Sequence, residues 1–172
     1  MIRIPPRIAR LVPLTALMAQ GAMAQLLVED KTWTEAAVPP PPAFDASKTV
    51  DLSPSGPATL RIGVDPATLS VGTDNVVRMV VVARDAEGQP LNALYQGIRC
   101  GTGEYRIYAR HYRDSGWRAV ADGTWKPMRE DANGRLALQL ARGGLCVAST
   151  PNGTPENMAR TLKTTPAMAP VQ

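Results

Sequence analysis

Cys100 and His111 are the residues most open to a chemical reading. One is half of the chain's only pair of cysteines and the other is its only histidine. A cysteine beside Arg99, with an imidazole near in sequence, has the makings of a thiolate nucleophile and its base. The competing reading joins Cys100 to Cys146. In an oxidising compartment such a pair becomes a disulfide, and with two cysteines only one connectivity exists within the chain. That bond would close a loop of 46 residues, contributing on the order of 4 kcal/mol by loop entropy. Compartment therefore decides the chemistry of Cys100.

The compartment is readable at the start of the chain. Residues 1–24 carry Arg3, Arg7 and Arg10 without an acid, then a mainly apolar run over residues 11–18, then Ala22-Met23-Ala24. Charged, apolar and small-residue regions in that order make a secretory signal, with cleavage expected before Gln25. The apolar run is too short to span a bilayer, and no later segment is long and apolar enough. No cysteine follows the cleavage site, so a soluble periplasmic protein is expected rather than a lipid-anchored one. The disulfide reading of Cys100 and Cys146 follows from that address.

Charge supports no nucleic-acid role. The chain has 19 basic residues against 15 acidic. Without the three signal arginines the balance is 16 against 15, far from a strongly basic domain. Between Tyr95 and Arg142, nine basic residues still face five acids. A locally basic surface of this kind suits an acidic glycan or an envelope protein, and equally an ordinary solvated face.

Other candidates are fewer. Glu104 and Asp114 are carboxylates of the kind a glycosidase pairs, but nothing in their spacing singles them out, and Asp114 before Ser115-Gly116 is turn chemistry. The sequence lacks Gly-x-Ser-x-Gly, a phosphate loop and His-Glu-x-x-His. Two cysteines and one histidine are too few for a closed structural zinc site, so neither metal nor cofactor is expected. Read as one straight strand, residues 104–113 put Tyr105, Ile107, Ala109 and His111 on one face. Arg106, Tyr108, Arg110 and Tyr112 fall on the other, with Glu104, as a possible binding face. The same interleaving also arises from arginine–tyrosine stacking within a protein. Trp117 and Trp125 are either sugar platforms or core.

The elements that must position these residues are mostly strands. Residues 25–56 form a lead-in whose four consecutive prolines, 39–42, favour an extended polyproline II segment. Trp33 and Phe44 are expected to pack at its ends. Residues 57–163 form a β-rich domain. Alternation over residues 59–65, the valine-rich run over 75–84 and the tyrosine-rich run over 104–113 predict strands. Residues 117–120 predict the return strand of a hairpin. Gln89-Pro90 reads as a break. Asp131-Ala132-Asn133-Gly134 predicts another hairpin turn, followed by a strand over residues 136–140. Thr154-Pro155-Glu156 predicts the start of a short terminal helix, and residues 164–172 a tail. The fold class is mainly β: a single-domain β-sandwich or strongly bent antiparallel sheet with a short C-terminal helix.

Several of these residues form a pattern. Tyr95-Gln96-Gly97-Ile98-Arg99-Cys100, Thr102, Glu104, Tyr108-Ala109, Trp117 and Trp125 resemble the CNP-like (cryptic neisserial protein) family. So do Asp74-Asn75-Val76-Val77-Arg78 and the export signal followed by Trp33-Thr34-Glu35 and a proline-rich lead. Gln96 stands where the pattern leads one to expect an acid. The resemblance implies a small exported bacterial envelope protein of one domain and carries no catalytic residues. A non-catalytic binding or structural module is therefore expected, against a periplasmic hydrolase of cell-wall or glycan substrates as the rival.

Overall fold

Strands dominate from Val50 to Pro127, and among the described residues α-helices appear only after Asp131. The computed structural model describes residues 33–52 and 59–164. The signal expected over residues 1–24, the first part of the lead-in and the tail beyond Thr164 lie outside the described residues. In chain order the strands are β1 (Val50–Asp51), β2 (Leu60–Val64), β3 (Ser70–Val71), β4 (Val76–Asp85), β5 (Pro90–Arg99), β6 (Glu104–Tyr112), β7 (Gly116–Ala119) and β8 (Lys126–Pro127). Then come α1 (Ala132–Leu140), β9 (Cys146–Val147), β10 (Thr150–Pro151) and α2 (Pro155–Thr164). The fold is mainly β and antiparallel, with a short C-terminal helix. Its main sheet runs β1-β2-β4-β5-β6-β7, with β3 added on β4 and β8 on β6, while β9 and β10 pair apart.

Both faces of the sheet are covered, which is why β4 reads as a nearly unbroken valine run. Val77, Met79, Val81, Ile98, Tyr105 and Ile107 meet Leu140, Leu145, Met158 and Leu162 from the helical layer. Full burial of each large aliphatic side chain contributes about 1.5–3 kcal/mol. On the opposite face Val80, Val82, Ala93, Tyr95 and Ala109 form a smaller core with Phe44, Tyr108 and Trp117. The second cover is thus the lead-in itself, laid over the sheet as a strap. Its proline run lacks N–H donors and cannot join a strand ladder.

A bulge reorganises β6. Tyr95 faces Ala109 and the next residue, Gln96, faces Ile107, which leaves Tyr108 as the extra residue. An inserted residue reverses the parity of everything beyond it. Tyr105 and Ile107 therefore point to the helices, whereas Ala109 and His111 join the strap side. Gly97 makes room for this arrangement, because a Cβ there would lie 2.3 Å from the Tyr108 hydroxyl.

Three local expectations are corrected. Asp131-Ala132-Asn133-Gly134 is not a hairpin turn, and residues 136–140 are not a strand: both belong to α1. The Asp131 carboxylate accepts the Gly134 N–H at 2.8 Å, a helix N-cap, and leucine, alanine and glutamine then favour the helix. Pro90 does not break the chain but opens β5, at a register irregularity opposite Arg84, a position where proline's missing donor is tolerated. The terminal helix starts as its sequence suggests, with the Thr154 hydroxyl accepting the Asn157 N–H at 3.3 Å. The described residues form one compact unit.

Candidate functional site

The strap is fastened at both ends. At its start the Trp33 indole N–H donates to the Asp74 carbonyl at 3.0 Å, and the Ala36 N–H donates to the Asp74 carboxylate at 2.9 Å. At its far end Phe44 packs edge-on against His111 and Trp117, and the Asp45 N–H donates to Asp65 at 2.7 Å.

Between these ends Glu35 is the node. Its carboxylate accepts from the Tyr108 hydroxyl at 2.6 Å, the Trp125 indole N–H at 3.2 Å, Arg78 Nη2 at 3.5 Å and Arg106 Nη1. These donors come from β4, β6 and the loop before β8, so one strap carboxylate ties three segments together. Arg78 is 2% exposed and also forms a two-pronged pair with Asp74, at 3.1 and 2.6 Å. Such fork-to-fork pairs are the stronger kind of ion pair. Arg99 stacks 3.7 Å from the Trp33 ring centroid and holds Glu104 at 2.7 Å, and the Thr102 hydroxyl donates to the same carboxylate.

The protonation states follow from this packing. Burial works against the Asp74 carboxylate, but hydrogen bonds from Arg78 and from the Ala36 and Val76 N–H groups outweigh it and hold its pKa below the usual value. Burial, reinforced by the hydrogen bond to Glu35, pushes the Tyr108 phenol well above the tyrosine range. Burial also raises Tyr95. Both phenols are therefore neutral near pH 7.

Beside the strap lies a groove of about 380 Å³. Val38, Pro39 and Pro41 form its strap wall. Tyr95, Tyr108, Ala109 and Trp117 line the sheet side, with Ala119, Val120 and Arg106 completing the lining. Among the described residues no acid contributes to it.

The structure redistributes the candidate residues. Cys100 and Cys146 are joined in a disulfide with Cα atoms 5.7 Å apart, and His111 packs edge-on in a cluster with Phe44 and Trp117, so they form no thiol–imidazole pair. Arg106, Tyr108, Arg110 and Tyr112 do not share a face, because the bulge at Tyr108 splits them. Arg106 and Tyr108 join the Glu35 node. Arg110 lines a separate small cleft on the other side with Tyr105, Asp122 and Asp131, and Tyr112 is exposed near the sheet end. Glu104 is committed to Arg99, Trp125 to the node and Trp117 to the groove. Sequence reasoning missed Glu35, Asp74 and Arg78 as a unit. The available signal was Arg78 itself: a cation inside a buried valine strand requires a buried acid. Among the described residues no cluster of three His, Cys, Asp or Glu is suited to a metal ion, and no helix is long and apolar enough to cross a membrane.

A family model described as the CNP1-like family matches residues 28–163. No curated protein and no solved structure matches the chain.

Proposed function

The chain belongs to the CNP1-like family, and from that premise we propose that it is an exported, non-catalytic binding module of the bacterial envelope, working in the periplasm. The observation that carries the reading is the division of labour on the strap face. The carboxylates of Glu35, Asp74 and Glu104 are engaged by arginines, whereas the adjacent groove is lined by aromatic, aliphatic and proline side chains with a single cation. A general acid must reach the substrate, and none of these three carboxylates lines the groove. A concave, mainly apolar groove with few polar groups suits recognition. Export is supported by the signal-like residues 1–24 and by a disulfide of the kind that persists in oxidising compartments.

The rival is a hydrolase of cell-wall or glycan substrates. Purified protein incubated with peptidoglycan and with chromogenic glycosides is expected to release no product above buffer. Turnover that disappears in Glu35→Gln or Glu104→Gln would replace the binding reading with the hydrolase.

A further inference from the structure

The groove's lining identifies the class of ligand. We propose that it binds a monoanionic amphiphile, an apolar or aromatic body bearing one carboxylate, with Arg106 anchoring the charged end. The inference rests on the binding-module reading and deepens it.

Size and walls come first. A space of about 380 Å³ lies within the range of small-molecule sites, roughly 300–1,000 Å³. Pro39 and Pro41 offer ring faces and no N–H, and Tyr95 and Trp117 offer aromatic surface across from them. Such walls reward apolar area and give a sugar or a polar metabolite few partners.

Charge then selects the head group. Arg106 is the only charged residue among the described residues of the lining. Its Nη1 is held by Glu35, yet its side chain remains 32% exposed, and no described residue accepts from its Nη2. A guanidinium has five N–H donors in a planar fork; with Nη1 on Glu35 and Nε buried, the Nη2 donors are left for a second carboxylate. Glu35 itself does not line the groove, and its oxygens are already covered by Arg78, Tyr108 and Trp125. The groove therefore presents a cation and no acid. A cationic amphiphile meets repulsion there. A dianion needs more donors than one shared guanidinium supplies, which leaves a single carboxylate as the match. The Tyr108 hydroxyl is occupied by Glu35, so the ring, not the hydroxyl, faces the ligand.

The test is calorimetric titration of the mature, disulfide-bonded protein with sodium decanoate, decanol and decyltrimethylammonium. Decanoate is expected to bind one to one and at least about tenfold more tightly than decanol, equivalent to about 1.4 kcal/mol. The cation is expected to bind more weakly than either. Arg106→Met also loosens the strap, so the decisive variant is Ala119→Trp, which fills the groove from an exposed position and leaves the Glu35 node intact. It is expected to weaken decanoate at least tenfold at an unchanged melting temperature. Absence of saturable decanoate binding would overturn the proposal, as would equal affinity for decanol or unaltered binding by Ala119→Trp. None of those results yields turnover, so the ligand assignment can fail while the binding reading stands. The reverse failure is recognised by product release in the hydrolase assay.

Discussion

Arg78 puts a guanidinium inside a buried stretch, residues 76–82, that is otherwise valine and methionine, and its neighbours follow from the cost of that choice. A buried cation stripped of its acid costs about 3–5 kcal/mol, so Asp74→Asn is expected to lower the unfolding free energy at pH 7, read from urea titration, by an amount of that order. The pH dependence has a definite sign. The Asp74 carboxyl titrates below its ordinary 3.8 when folded. Its contribution is therefore present above that value and lost as pH falls through the lower folded pKa. Urea midpoints of wild type and Asp74→Asn should differ widely at pH 7 and converge below about pH 4; a gap that persists undiminished at pH 2 would assign the stabilisation to something other than the carboxylate. Glu35 acts differently, because it holds the strap and not the strand. Glu35→Ala is expected to speed amide exchange over residues 36–44 while β4 stays protected, as read by hydrogen-exchange mass spectrometry. Equal acceleration of β4 would mean that strap and sheet open as one unit.

At the scale of elements, opposing effects meet at Gly134. Alanine in a helix is favoured over glycine by about 1 kcal/mol, but a Cβ there would sit 2.8 Å from the Met128 carbonyl oxygen and 3.0 Å from the Tyr105 ring. Overpacking against backbone that cannot rotate away costs about 1–3 kcal/mol. Gly134→Ala should therefore lower the melting temperature by a few degrees despite its better propensity, and a rise would show that α1 can shift outward. The same glycine explains a misreading. Asn133-Gly134 has the local signature of a hairpin, and only the capping Asp131 carboxylate, itself held by Tyr105 from β6, turns the segment into a helix. Strands β2, β4 and β6 were legible because alternation and valine content are local properties. The bulge was not, since the facing of residues after Tyr108 depends on which partner Gln96 takes in β5. Half of the candidate site was hidden for a related reason. Trp33, Glu35, Asp74 and Arg106 are scattered in sequence and meet only when the strap is laid on the sheet.

For the whole molecule, one covalent bond ties the sheet to its helical cover. Cys100 ends the β5 side of the sheet and Cys146 follows α1, 46 positions further along the chain. The unfolded chain loses loop freedom worth about 4 kcal/mol when they are joined, a large share of a small domain's net stability. Replacing both cysteines with serine is expected to lower thermal stability substantially while leaving β4 and β5 paired, because the longest ladder in the fold does not depend on the bond. An unchanged melting temperature in the double variant would remove the disulfide from the account of stability. The bond also reports on address. A protein made in a reducing cytosol would keep both thiols, whereas export delivers the chain to an oxidant before or during folding. Intact mass after denaturing, non-reducing alkylation of protein taken from the periplasm reads both features at once. The expected species begins at Gln25 and takes up no alkyl group. A chain that retains residues 1–24 and takes up two alkyl groups would contradict export. It would also reopen Cys100 as a free thiol, although Cys100 packs with the helix-side core and His111 with Phe44 and Trp117 on the strap side, so the base that a thiol enzyme requires is not beside it.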